Sequence, residues 1–218
     1  MNINTLVAKY FADCRDYTTM DVFDSDNVFD VYRRIVEILH RKPEIELTVL
    51  QGLGYCFYEI LDNVLTHSDK QCGTVLMCYL KETARIRILV ADDGKGIHES
   101  LKENVIYGGI TEEDALRKCI EDRVTDGKGM GFGLYSMARL VDSAGSRFEI
   151  LSGNHELEMV AGNAEVRSSS MQWQGTLVYV ELCADKEIDP DEVVDNRTDC
   201  RAQYNETFIE DDDLDNLW

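Results

Sequence analysis

Residues 127–134 read GKGMGFGL, with a glycine at every second position from 127 to 133. Glycine weakens the interior of a helix or strand by about 0.5–1 kcal/mol relative to alanine, so this stretch is expected to form a loop. Apolar side chains at helical spacing follow over residues 133–143. Because main-chain amides in such a loop and at a helix N-terminus attract anions, the pattern predicts a phosphate-binding loop, to which Lys128 adds positive charge. A glycine-rich hinge is the less favoured alternative.

A second cluster, residues 59–67, reads EILDNVLTH and lies in a helix predicted over 52–67. Glu59 and Asn63 are four residues apart and therefore project from one face of that helix, and His67 continues the same stripe. An amide oxygen can complete the coordination of Mg²⁺ on a phosphate, while a carboxylate orients a water beside it. Taken alone, this spacing is common on solvated helices, and chance explains it better.

A third cluster, residues 88–97, reads ILVADDGKGI, which is an apolar strand followed by an acidic pair and alternating glycines. A carboxylate at Asp92, where the strand ends, can accept a hydrogen bond from an exocyclic amine such as the one at N6 of adenine. Gly94 and Gly96 permit a ligand to approach the main chain closely. The composition supports a plain turn and a binding loop equally.

In chain order, residues 59–67, 88–97 and 127–134 resemble the N, G1 and G2 boxes, respectively, of the GHKL ATPase superfamily, whose shared architecture is the Bergerat fold. The resemblance covers about residues 50–182, and the spacing GMGFGL before a helix is most similar to the histidine-kinase-like and anti-sigma-factor-kinase-like branch. It implies an α+β fold class, a two-layer α/β sandwich that has a mixed, mostly antiparallel sheet, helices on one face and an ATP lid. It also implies ATP and Mg²⁺ as cofactors.

The resemblance assigns roles to individual residues. Asn63 would coordinate Mg²⁺, Glu59 would be the catalytic residue that polarises the attacking water, and Asp92 would hold the adenine amine. Further candidate nucleotide-binding residues come from the two glycine-containing clusters and from a late Gly-Thr strand: Gly94, Gly96, Ile97, Lys128, Gly129, Gly131, Gly133, Leu134 and Thr176.

Periodicity predicts the secondary structure of the sandwich. Helices are expected over 28–40, 52–67, 111–122 and 133–143, and strands over 74–80, 85–90, 147–151, 155–160 and 176–182. We expect three parts: a helical extension packing on the core (1–49), the ATP-binding domain (50–183) and an acidic tail (184–218). The ATP lid is expected at about residues 98–128, with Gly108 and Gly109 as hinges. An ordinary helical insertion is the alternative there.

The chain is strongly acidic, with 42 acidic and 22 basic side chains among 218 residues and a formal net charge of −20. This charge argues against a nucleic-acid partner, because binding to the phosphate backbone depends on Lys and Arg. No apolar run approaches the roughly 20 residues of a membrane span, and the first residues lack a secretory signal. A cytoplasmic protein with no membrane partner is therefore expected, with its seven scattered cysteines reduced.

Two segments of the sequence could contact a protein partner. Residues 185–218 contain 13 acidic and three basic side chains, which favours a solvated tail over a segment that docks a protein partner. The apolar stripe over 28–39 has two interpretations, packing in the core of this chain or pairing with a second copy in a homodimer, and the core is favoured. His40 lacks the acidic neighbour of a phosphoacceptor and is interpreted as a surface histidine.

Three functions remain open from the sequence. The favoured one is a Mg-ATP-binding protein of the GHKL type that acts as a slow ATPase or an ATP-dependent conformational switch, because Glu59 stands at the matching position. The second is a serine- or histidine-kinase-like protein kinase that acts on a separate partner. The third is a non-hydrolysing nucleotide-binding interaction module.

Overall fold

Within the residues that the structure describes, five strands form one sheet in the order β1-β2-β3-β5-β4, and every neighbouring pair is antiparallel. The structure is a computed structural model and describes residues 3–14, 18–189 and 192–193. The strands are β1 (Thr18–Asp24), β2 (Cys72–Leu80), β3 (Arg85–Ala91), β4 (Arg147–Val160) and β5 (Asn163–Cys183). The helices are α1 (Ile3–Tyr10), α2 (Val28–His40), α3 (Leu47–His67), α4 (Gly96–Leu101), α5 (Glu112–Lys118) and α6 (Gly133–Ser143), with 3₁₀ turns at Lys81–Thr83 and Val105–Tyr107.

The α+β fold class is confirmed, with the refinement that the described sheet is fully antiparallel rather than mixed. Residues 190–191 and 194–218 lie outside the described residues. The solvated tail and its docking of a partner therefore stay predictions. No helix in the described ranges combines the length and the apolar character needed to cross a bilayer.

The larger core lies between one face of the sheet and the helices α2, α3 and α6. On β3, Ile86, Ile88 and Val90 point into this core, as the alternation of side chains along a strand requires. The apolar stripe of α2 is buried in the same core. The interpretation of that stripe as core packing is thus confirmed.

The second face of the sheet is covered in part by α1. Leu6, Tyr10 and Phe11 bury against Leu89 and Tyr179 in a separate, smaller apolar cluster. The resemblance implied helices on one face of the sheet, and α1 adds a second helical cover on the other face. Helix α1 therefore lies on one face of the sheet and α2 on the opposite one. The segment predicted as a helical extension also contains β1, which is an edge strand of the sheet.

A disulfide joins Cys14, just after α1, to Cys78 of β2. The expectation that all seven cysteines are reduced is therefore wrong for this pair. The two residues are 64 positions apart and meet because α1 folds back across the sheet, which no local spacing encodes. The other described cysteines are free thiols, as expected: Cys56, Cys72, Cys119 and Cys183.

Several element boundaries differ from the predicted ones. Helix α3 begins at Leu47, five residues before the predicted start at Gly52. Gly52 lies inside the helix and faces α6, where a Cβ would be 2.7 Å from Cδ1 of Leu140. That glycine permits close helix packing and does not start the helix. The strands predicted over 147–151 and 155–160 form one strand, β4, with register shifts between residues 152 and 155.

Candidate functional site

The three sequence clusters converge on one pocket. It is lined by α3, the end of β3, α4, the segment 124–134 and β5. With the exception of Gly94, every residue proposed from the sequence lines it: Glu59, Asn63, Asp92, Gly96, Ile97, Lys128, Gly129, Gly131, Gly133, Leu134 and Thr176. Stretches that are far apart in the chain thus share one site.

One wall of the pocket is a single face of α3. Glu59, Asn63 and His67 follow each other at helical spacing on the pocket side and are each half-buried. Burial, and next the negative charge of Asp62, raise the pKa of Glu59 above its ordinary value, while His67 partly offsets them. A carboxylate with a raised pKa is a stronger base, which suits a residue that would polarise a water.

The glycine-rich segment meets this wall at Gly133, the first residue of α6. A Cβ added there would lie 2.9 Å from Cβ of Glu59 and 3.2 Å from Nδ2 of Asn63. The start of α6 can pack this closely on α3 only with glycine at the contact. The main-chain amides at the start of α6 therefore lie beside Glu59 and Asn63.

Before α6, the segment is a loop whose backbone requires glycine. Gly131 has a φ of +75°, a conformation that side chains with a Cβ adopt at a cost. A Cβ at Gly131 would also lie 2.5 Å from the carbonyl oxygen of Val124. The predicted loop, which ends at the predicted helix, is confirmed in structure.

Lys128, on the pocket wall, and Lys95 share two carboxylates. The Nζ atom of Lys128 lies 3.1 Å from Oε2 of Glu103 and 3.8 Å from Oδ1 of Asp69. The Nζ atom of Lys95 lies 3.2 Å from Oδ2 of Asp69 and also pairs with Glu103. The positive charge predicted at Lys128 is therefore balanced in part by neighbouring acids.

Asp92 directly follows β3 and is only 6% exposed. The main-chain amide of Gly94 donates a hydrogen bond of 2.7 Å to its Oδ1 atom, and the indole of Trp173 donates to its main-chain carbonyl at 2.7 Å. Burial raises the pKa of Asp92 to about 6, although the amides of Gly94 and Thr176 oppose the increase. This carboxylate is held rigidly at the pocket floor by main-chain groups.

Gly94 stands behind Asp92 rather than on the pocket wall. A Cβ there would overlap the carbonyl oxygen of Ser68 and lie 2.9 Å from Oδ1 of Asp92. Glycine at position 94 is therefore needed for the packing of this turn.

A short chain of hydrogen bonds joins the start of α4 to β4 and β5. The amide of Ile97 donates to Oγ of Ser152 at 3.0 Å, and this hydroxyl donates to the carbonyl of Gly175 at 2.9 Å.

Several pocket residues have no role in the sequence-based site, and three of them are joined by hydrogen bonds: His67, Ser100 and Asp126. Nδ1 of His67 lies 2.8 Å from Oδ2 of Asp126, and Oγ of Ser100 donates to the same oxygen at 2.8 Å. Burial opposes the ionisation of Asp126, but hydrogen bonds from the Lys128 amide, His67 and Ser100 outweigh it and lower its pKa. The spacing of His67 after Asn63 was visible in the sequence, whereas nothing there marked Asp126.

A comparison with protein-family models matches residues 48–186, more than half of the chain, to the family described as histidine kinase-, DNA gyrase B- and HSP90-like ATPase. A search of curated proteins finds no match. The matched range contains all three clusters and the pocket that they form. The chain therefore belongs to the histidine kinase-, DNA gyrase B- and HSP90-like ATPases and carries their ATP-binding domain.

Proposed function

We propose that this domain uses Mg-ATP as a slow ATPase and an ATP-dependent conformational switch, with Glu59 polarising the attacking water. One observation carries the proposal. Glu59 is half-buried, has a raised pKa and lies one helical turn before Asn63, where both contact the start of α6. A base beside a loop that can hold phosphates is the arrangement that hydrolysis of a terminal phosphate needs.

The nucleotide would lie along the pocket with its base at Asp92. The Asp92 carboxylate would accept a hydrogen bond from the adenine amine, with Gly96, Ile97 and Thr176 around the base. The triphosphate would extend toward the other end of the pocket, where main-chain amides of a glycine loop and a helix N-terminus favour anions. That end is formed by Lys128, Gly129, Gly131, Gly133 and Leu134.

The residues present fit a magnesium ion on the triphosphate. Asn63 offers an amide oxygen on the pocket wall, and Mg²⁺ prefers oxygen ligands while retaining phosphates and waters in its coordination. Bound there, the ion would neutralise part of the phosphate charge. Neutralising the phosphate charge matters because the chain itself has a formal net charge of −20.

The switch is supported by the segment between α4 and α5. Val105 and Ile106 are 94% and 81% exposed there. Burying such exposed apolar side chains, by a conformational change or against a partner, lowers the free energy of the system. A lid that rearranges around bound nucleotide would supply such a change.

Hydrolysis is tested by measuring phosphate release with ATP and Mg²⁺, and by determining the mass of the protein. We expect steady release that falls about 100-fold or more in Glu59→Gln, as for loss of a general base, while ATP still binds. Glu46→Gln, at the exposed start of the same helix, is the matched control. Phosphate on a partner protein without release would favour a kinase, and binding with neither product would favour an interaction module.

The role of Mg²⁺ is tested by calorimetry with and without the ion. We expect ATP to bind more tightly with Mg²⁺ and Asn63→Ala to remove most of that difference. Equal affinities for the wild type in both conditions would contradict the metal role of Asn63.

A further inference from the structure

Asp126 is the point at which three separate elements of the pocket meet. Its side chain is fully buried and accepts hydrogen bonds from α3, α4 and the glycine-rich loop. The Oδ2 atom accepts from Nδ1 of His67 and Oγ of Ser100, each at 2.8 Å. The Oδ1 atom accepts from the main-chain amide of Lys128 at 3.0 Å.

This arrangement fixes the orientation of the His67 ring. Because the Asp126 carboxylate is an acceptor, the proton between the two side chains belongs to Nδ1 of His67. The opposite nitrogen, Nε2, then faces the glycine-rich loop: a Cβ added at Gly129 would lie 3.5 Å from it. His67 thus presents one ring nitrogen to the phosphate end of the pocket, and the other is held from behind.

We propose that Asp126 is a positioning residue of the nucleotide site, which holds His67 with Nε2 directed at the phosphates. The inference rests on the proposed nucleotide pose. Of the three groups that bind the Asp126 carboxylate, His67 is the side chain that faces the glycine-rich loop, so the proposal assigns the effect of Asp126 on the ligand to His67.

A purely structural aspartate would behave differently from a positioning one. Loss of a structural residue would weaken the binding of every nucleotide and would do so whether or not His67 is present. Loss of a positioning residue would weaken only ligands that reach His67. Its effect would also vanish once His67 has been removed, because the two residues act as a unit.

The experiment compares affinities for ATP and AMP by calorimetry in Asp126→Asn, His67→Ala and the double variant. Asp122→Asn, an exposed aspartate of the same segment, is the control. We expect Asp126→Asn to weaken ATP about tenfold and AMP by less than about twofold, and to have no further effect in the His67→Ala background. Equal weakening of both nucleotides, additive effects, or behaviour like Asp122→Asn would overturn the inference.

A measurement on the wild type keeps the inference testable if Asp126→Asn does not fold. Nitrogen-15 spectra of the histidine side chains, assigned with His67→Gln, should show a proton on Nδ1 of His67. An unprotonated Nδ1 would overturn the inference. A wild type that binds neither ATP nor AMP would instead defeat the proposed function, and a wild type that binds ATP with an unchanged Asp126→Asn would defeat only the positioning role.

Discussion

The main-chain amide of Asp92 donates a hydrogen bond of 2.9 Å to the carbonyl oxygen of Thr176. This bond continues the pairing of β3 with β5 by one residue beyond Ala91 and brings Asp92 to the pocket floor. The Thr176 amide in turn supports the Asp92 carboxylate. The sheet therefore fixes this acid in a place where water cannot fully solvate its charge.

Asp92→Asn should separate the stability of the domain from its nucleotide binding. The folded-state pKa of Asp92 is about 6 against an ordinary value of 3.8, so the folded protein binds more protons than the unfolded one between these values. The wild type thus loses stability as the pH rises from about 4 through 6. Relative to wild type, the free energy of unfolding of Asp92→Asn should increase by about 2–3 kcal/mol between pH 4 and pH 8.

The same variant should bind ATP at least about tenfold more weakly, since an amide facing the adenine amine places donor against donor. The amides of Gly94 and Thr176 already claim an acceptor at this position, which leaves the NH₂ group of asparagine for the base. Asp93→Asn, whose side chain is 79% exposed, is the control for the binding measurement, and Asp122→Asn, an exposed aspartate outside this turn, is the control for the stability measurement. A pH-independent stability difference, or retained ATP affinity, would refute the role of Asp92.

Gly133→Ala should destabilise the protein and abolish tight ATP binding. Alanine is the better helix former, so the contact of the new Cβ with Glu59 at 2.9 Å is what opposes the substitution. Moving α6 away from α3 should cost about 1–3 kcal/mol, as for other overpacked cores. Chemical denaturation measures this cost, and calorimetry measures the binding.

Gly109→Ala is the matched control for this substitution, because a Cβ at Gly109 would meet nothing within 4 Å. We expect its free energy of unfolding to stay within about 0.5 kcal/mol of the wild type. If the two alanine variants behaved alike, the contact between α6 and α3 would not be the reason for the glycine.

Glu103→Gln should strengthen ATP binding. The carboxylate of Glu103 pairs with both Lys128 and Lys95 and would compete with phosphates for these lysines. Its removal also takes one negative charge away from the site of a highly charged anion. Because exposed ion pairs are weak and screened, we expect a gain of about twofold to fivefold that shrinks in high salt.

Glu121→Gln provides the comparison for Glu103→Gln. Glu121 is on the same segment but pairs with Lys118, 3.2 Å away, outside the pocket. Its affinity for ATP should equal that of the wild type. Weaker binding in Glu103→Gln would mean that the carboxylate organises the lysines for phosphate instead of competing for them.

Local sequence patterns were sufficient wherever the site is encoded in a few consecutive residues. The spacing of Glu59 and Asn63 fixes their common face once α3 is a helix, and the apolar run before Asp92 places it at the end of a strand. The sequence also pointed to the glycines at positions 131 and 133, but the structural reason that glycine is required differs between the two. Gly131 is required by its backbone conformation, and Gly133 by its contact with α3.

Contacts between distant single residues could not be predicted in this way. His67 and Asp126 are 59 positions apart, and neither is part of a repeating pattern that refers to the other. The first half of β5 also gives only a weak signal, because residues 163–174 are mostly exposed and mostly polar, with Met171 and Trp173 as a short apolar alternation. The positions of α1 and β1 depend in the same way on the assembled sheet.

Cys14→Ser should measure what α1 contributes through its link to the sheet. A disulfide stabilises mainly by restricting the unfolded chain, and the pair Cys14–Cys78 closes a loop with a sequence separation of 64 residues. Without reductant, we expect the variant to lose about 2–4 kcal/mol in its free energy of unfolding. Cys72→Ser, which changes an exposed free thiol, should leave that value unchanged.

Because a dithiol reductant removes the same link from the wild type, the wild type and Cys14→Ser should unfold alike in its presence. A difference that persisted after reduction would show that Cys14 stabilises the fold by packing rather than by the covalent bond.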